Sequence, residues 1–180
     1  MPESDQGWTI LVERLRDQQD GAQRRTYGKY SVSVDGTAVD GLSGFVCESR
    51  GPGDNGPTGK ANHRRIAAGA YPLSTHFGKY VTIGYSTDAS NPAPMPAILV
   101  GDTGDRTAIL IHPGHPPKLY LSSIGCLNLT GALAAAQDMT FTDSRDRVIA
   151  VIESLRSFRP DAFDTHVDTP IRDAKLVVID

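Results

Sequence analysis

From Trp8 to His112 the apolar residues of this chain alternate with polar ones or form short runs broken by Gly, Pro and Asn, and only beyond Thr130 does their spacing lengthen to three and four. A period of two puts alternate side chains on one face of a strand, whereas a period of three to four makes a helical stripe. Strands therefore fill the first two-thirds and helices come late. That order predicts a mainly β (β-rich α+β) fold, an antiparallel sandwich or barrel with one or two late helices packed outside. The length of 180 residues, 39% of them hydrophobic, suits a single domain over 1–180 with a flexible N-terminus at 1–7.

Residues 8–15 alternate well enough for a first strand, and 17–25 read as a polar loop. Tyr30, Val32 and Val34 share one face of a strand over 27–34 that ends at the turn Asp35-Gly36, which predicts a hairpin. Residues 43–48 form a short apolar strand, and 50–62, rich in Gly, Pro and Asn, an exposed loop. Further strands are predicted over 71–73, 80–85, 98–100 and 107–112, with a Pro/Ala/Asn loop between 86 and 96. A short helix is predicted over 130–139 with Thr130 as N-cap. Val148, Val151, Ile152, Leu155 and Phe158 make the stripe of a helix over 144–158 that Pro160 stops, and 174–179 is a final strand.

The net charge of −3 and the lack of any Lys/Arg run argue against nucleic acid or an anionic membrane as the main partner. Arg24-Arg25 reads as solvated surface charge, while Arg64-Arg65 lies where it can meet a substrate carboxylate. No stretch has the make-up of a signal peptide or approaches the ~20 apolar residues of a membrane span, so a soluble chain made in the cytoplasm is expected.

The residues that carry chemistry are the histidines at the end of Ala108-Ile-Leu-Ile-His112-Pro-Gly-His115 and the cysteine in Ser123-Ile-Gly-Cys126-Leu-Asn128. A thiol titrates near 8.5, so at neutral pH a nucleophilic cysteine needs a base or aligned N–H groups, and His112 or His115 can supply the first. Gly125 permits a sharp turn that can aim backbone N–H groups at a substrate carbonyl oxygen. Ser123 and Asn128 are short polar residues suited to bracing that turn. Tyr120 is a candidate lining residue, and Glu48 a candidate carboxylate to orient His112. The alternatives are a buried structural thiol, a Cys47–Cys126 disulfide with the only other cysteine, and a zinc site of His112, His115 and Cys126.

Ser123-x-Gly-Cys126-x-Asn128 after an Ile-His-x-Gly strand end resembles the signature of the L,D-transpeptidases of the YkuD type and of small bacterial domains related to them. Ile66-Ala-Ala-Gly69-Ala-Tyr71 is similar to the turn that precedes a strand in the same family, and the two matches stand in the family's order. Ile124 replaces the second histidine of that signature, and only ten residues lie between His112 and Ser123. The shortened loop bears on acceptor recognition, and Ile124 is expected to pack beneath the turn. The resemblance implies a cysteine enzyme acting on peptidoglycan stem peptides. Cys126 would be the nucleophile and His112 the base, with Ser123 and Gly125 in the catalytic turn and Asn128, His115, Arg64, Arg65 and Tyr120 around the substrate. It implies no cofactor and no metal. With no export signal, such an enzyme would reach the periplasm or envelope by a specialised route, as a secreted antibacterial effector or lysis-associated factor. A secretion-system component or an immunity-type inhibitor would then be its protein partners. The alternatives in function are a non-catalytic module that binds wall peptide or a partner protein, and a cytoplasmic cysteine peptidase or amidase.

Overall fold

A computed structural model describes residues 6–180, so of the N-terminal stretch expected to be flexible, 1–5 lie outside the described residues. Gly7 donates its N–H to Asp35 Oδ1 and accepts from the Asp35 N–H, so it is tied to the turn after the second strand.

The fold is mainly β. The strands are β1 (Trp8–Asp20), β2 (Gln23–Val34), β3 (Thr37–Glu48), β4 (Gly69–Ser74), β5 (Tyr80–Val81), β6 (Met95–Pro96), β7 (Ile98–Val100), β8 (Ile109–Pro113), β9 (Leu127–Thr130) and β10 (Pro170–Ile179). Eight of them close a barrel in the order β1-β10-β4-β7-β8-β9-β3-β2, while β5 and β6 form a separate pair. Most neighbours are antiparallel, but β1 with β10 and β8 with β9 run parallel. Helix α1 (Pro57–Ala61) interrupts the loop expected over 50–62, and α2 (Phe141–Phe158) is the late helix. A 3-10 turn, Pro160–Phe163, follows it. Among the described residues no helix is long and apolar enough to cross a membrane.

Alternation decides which side chains fill the barrel. Ile10, Val32, Val46, Leu73, Ile111 and Leu127 belong to one buried cluster, and Val148, Val151, Ile152 and Leu155 of α2 join it. The helix is held at its N-terminus by Ser144, whose hydroxyl accepts the Gly114 N–H and donates to the Leu129 carbonyl. Farther along, Trp8 Nε1 donates to Ser154 Oγ at 2.9 Å. The helix thus clamps the C-terminal ends of β8 and β9, next to His112 and away from the start of β9 that follows Cys126.

Two expectations are corrected by tertiary contacts. Residues 17–25 are no loop: β1 and β2 stay paired to Asp20↔Gln23, past a bulge between Arg14 and Arg16. Arg25 is fully buried rather than solvated, donating to Gln18 Oε1, Tyr120 O and Ala134 O. Residues 130–139 form no helix. The carbonyls of Leu133, Ala134 and Ala135, which a helix would use internally, accept instead from Gln18, Arg25 and the Tyr120 hydroxyl. Helix propensity of a few tenths of a kcal/mol per residue does not compete with such buried bonds. The strand expected over 80–85 is limited to Tyr80–Val81.

Candidate active site

Because β8 and β9 are parallel, the chain leaving β8 must travel back along the full strand before β9 begins. That return, through His115, Ser122 and Ser123, delivers Cys126 beside Leu110. The register Ile111↔Leu127 and His112↔Asn128 then fixes the faces. Ile109, Ile111, Leu127 and Leu129 point into the barrel core. By alternation, Leu110, His112, Cys126 and Asn128 occupy the outer face, with Cys126 and His112 two residues apart, or about 6–7 Å along the strand direction.

Cys126 is half-buried and free, as is the fully buried Cys47, so no disulfide joins them. The Cys126 Sγ accepts the Leu110 N–H at 3.3 Å, and its S–H faces the Ala108 carbonyl at 3.6 Å. Ala108 itself lies in the left-handed region, φ 52°, a conformation that costs an alanine about 1 kcal/mol or more. Burial pushes the Cys126 thiol up, against the opposing pull of the Leu110 N–H and the Arg106 guanidinium. Cys47 is pushed up to about 11 by burial and is inert.

His112 is buried, and its Nδ1 lies 2.8 Å from the Pro113 carbonyl oxygen. Only a protonated Nδ1 can donate to a carbonyl, so this contact fixes the tautomer that leaves the Nε2 lone pair available as a base. Burial, helped by His115, brings the imidazole down to about 4, and it is neutral at pH 7. Tyr80 stacks on it at 4.7 Å and, through its hydroxyl, donates to His115 Nε2 at 2.8 Å, while His115 Nδ1 donates to Pro116 O. No hydrogen bond joins His112 and Cys126: the thiol is turned to the start of β8 and the imidazole is held under Tyr80. The resting pair is thus neutral thiol and neutral imidazole.

The cysteine turn is braced from within. Ser123 Oγ accepts the Gly125 N–H at 2.9 Å and donates to the Cys126 carbonyl at 2.7 Å. The Gly125 N–H is therefore spent on the turn and does not face a substrate carbonyl. Gly125 has φ 150°, and a Cβ there would lie 2.1 Å from Arg106 Nη2. Asn128, fully buried, accepts the Ser122 N–H and donates to the His112 carbonyl, which ties the return loop to the histidine strand.

Several candidates sit elsewhere. Tyr120 lines no groove: it is 3% exposed, its hydroxyl bonds Ala135 O, and the Arg25 guanidinium lies 4.0 Å above its ring. Arg65 is committed to the protein: it donates to Thr26 Oγ1 and pairs with Asp17 and Asp180. Arg64 is half-buried, with its Nε unpaired among the described residues. Glu48 does not reach His112, because it is taken by Arg14 in a two-pronged pair at 2.9 Å. Ile124 is 64% exposed rather than packed beneath the turn, since the turn offers its carbonyl to Arg106 and so faces its side chain outward.

Three residues of the site were not read from the sequence. Arg106, 4% exposed, donates to Asp54 O and Ile124 O and supplies positive charge under the thiol. Tyr80 covers the imidazole, and the Ser122 hydroxyl accepts the His115 N–H. Nothing in local spacing marks Arg106 or Ser122. Tyr80 stood out only as a strand aromatic. No family model matches this chain, and no curated protein or solved structure is significantly similar to it.

Proposed function

We propose that this chain is a cysteine acyltransferase of the L,D-transpeptidase or L,D-carboxypeptidase type, acting on peptidoglycan stem peptides through a Cys126 thioester. The observation that carries the reading is a half-buried thiol on the same outer face as an imidazole whose Nδ1 is locked on the Pro113 carbonyl. In this scheme Sγ attacks the carbonyl beside the terminal D-alanine and the thiol proton passes to His112 Nε2. The tetrahedral intermediate collapses, the C–N bond breaks, and His112 returns the proton to the leaving amine. An incoming amine then gives a cross-link or an exchanged D-amino acid, and water gives the carboxypeptidase product. Arg106 and the Leu110 N–H are the groups that favour the thiolate as it forms, against the burial that raises the thiol.

The raised thiol and the missing His112–Cys126 bond favour a second reading, a module that keeps the groove and binds wall peptide or a partner protein without turnover. Mass spectrometry after incubation with a tetrapeptide-containing wall fragment or a carbapenem separates them. Acyl transfer requires a covalent adduct on Cys126, and an unmodified cysteine under both conditions selects the binding module.

A further inference from the structure

Beside the cysteine turn lies a pocket of about 510 Å³ whose walls include Arg24, Arg50, His63, Leu121, Ser123 and Ile124. Arg24 comes from the first hairpin, Arg50 from just past β3 and His63 from just after α1, so two separate segments bring guanidinium groups to one place and a third adds an imidazole. Elsewhere in the molecule Arg14, Arg65, Arg147 and Arg159 each face a carboxylate within 4 Å. Arg24 and Arg50 are exposed and have no ion pair among the described residues, and no Asp or Glu lines the pocket. In a chain with 21 acidic and 18 basic residues this is a local concentration of positive charge that favours an anion, with Asp17 the carboxylate that lines an adjoining pocket with the same two arginines.

The lining also carries apolar side chains. Ile124, 64% exposed, is the most exposed of the large hydrophobic side chains among the described residues, and half-buried Leu121 also lines the pocket. A water-exposed isoleucine at the rim of a cationic pocket suits a ligand with a short aliphatic stem ending in an anion. One residue, Gly125, separates Ile124 from Cys126, so their Cα atoms lie at most about 7 Å apart. A group seated here is thus within about one residue of a carbonyl placed at Sγ.

We propose that this pocket is a carboxylate subsite of the acyl-transfer site, taking a carboxylate on a short aliphatic stem next to the carbonyl that Cys126 attacks; this rests on the acyl-transfer reading above. Arg24 and Arg50 hold the carboxylate by charge-assisted hydrogen bonds and His63 closes the ring, while Leu121 and Ile124 cover the stem. The Ser123 hydroxyl, committed to the turn, takes no part. The subsite selects stem peptides that carry a free carboxylate over those in which it is amidated.

The test measures binding to the full chain carrying Cys126→Ala, so that no chemistry intervenes. The probes are the tetrapeptide L-Ala-γ-D-Glu-meso-diaminopimelate-D-Ala and the same peptide with its side-branch carboxylates amidated, titrated by calorimetry. The free acid is expected to bind about tenfold more tightly. The preference should shrink in about 0.5 M salt and vanish on adding Arg24→Gln and Arg50→Gln, with an unchanged unfolding temperature showing that the variant is folded. Equal binding of both peptides, no binding of either, or a preference that survives the double substitution overturns the subsite. A preference lost with the arginines, in a protein whose Cys126 forms no adduct, leaves the subsite standing and rejects acyl transfer instead.

Discussion

Replacing His112 by glutamine should remove a specific acid sensitivity of the fold. A free histidine titrates near 6.5, and burial under Tyr80 brings His112 down to about 4. The folded protein therefore resists protonation at this site and the unfolded chain does not. The stabilisation is fully present above pH 6.5 and is lost as pH falls from 6.5 through 4. Linkage puts the loss at about 2 kcal/mol at pH 5 and about 3 kcal/mol at pH 4, relative to pH 8. Urea unfolding of the parent and of His112→Gln at pH 8, 5 and 4 measures it. Glutamine forfeits the ring stacking by a pH-independent amount, and all other titrating groups are common to both proteins. The difference in stability between the two should therefore shrink by about 2–3 kcal/mol from pH 8 to pH 4. Parallel losses in the two proteins would falsify the buried neutral imidazole, and with it the base assigned to the acyl transfer.

Cys126→Ala is expected to change stability by no more than about 1 kcal/mol, because the thiol is half-buried and makes two long contacts; it should abolish every covalent adduct, which mass spectrometry reads. Iodoacetamide labelling of Cys126 should climb only as pH passes above the ordinary thiol range of about 8.5, since burial pushes this thiol up; a plateau of fast labelling near pH 6 would reveal a preformed thiolate–imidazolium pair. Gly125→Ala should cost about 2–4 kcal/mol, from the φ of 150° and the displacement of Arg106, and should shift the urea midpoint accordingly. Asn128→Leu leaves the Ser122 N–H and the His112 carbonyl without their side-chain partner, so about 2–4 kcal/mol of destabilisation is expected, together with altered labelling of Cys126.

The alternation of Tyr30 with Val32, and the α2 stripe from Val148 to Leu155, were legible because burial on one face of an element forces its own period on the sequence. Those patterns sufficed for a β-rich fold with a late helix. The cysteine turn was legible too, because glycine before a thiol and short polar residues on either side are local chemistry. Closure of the barrel was not, since the parallel pairings of β1 with β10 and β8 with β9 join segments whose sequences carry no mark of partner or direction. The irregular, non-helical course of 131–139 depended on Gln18, Arg25 and Tyr120, more than a hundred residues away for the first two. The same limit governs charge. Arg25 and Arg24 are neighbours in the chain and read alike, yet one is buried in the first hairpin and the other lines a pocket beside the thiol. Which of two equal residues meets protein and which meets solvent is set by the register of β1 and β2 and by the loop laid over them, a long-range contact that no local period encodes.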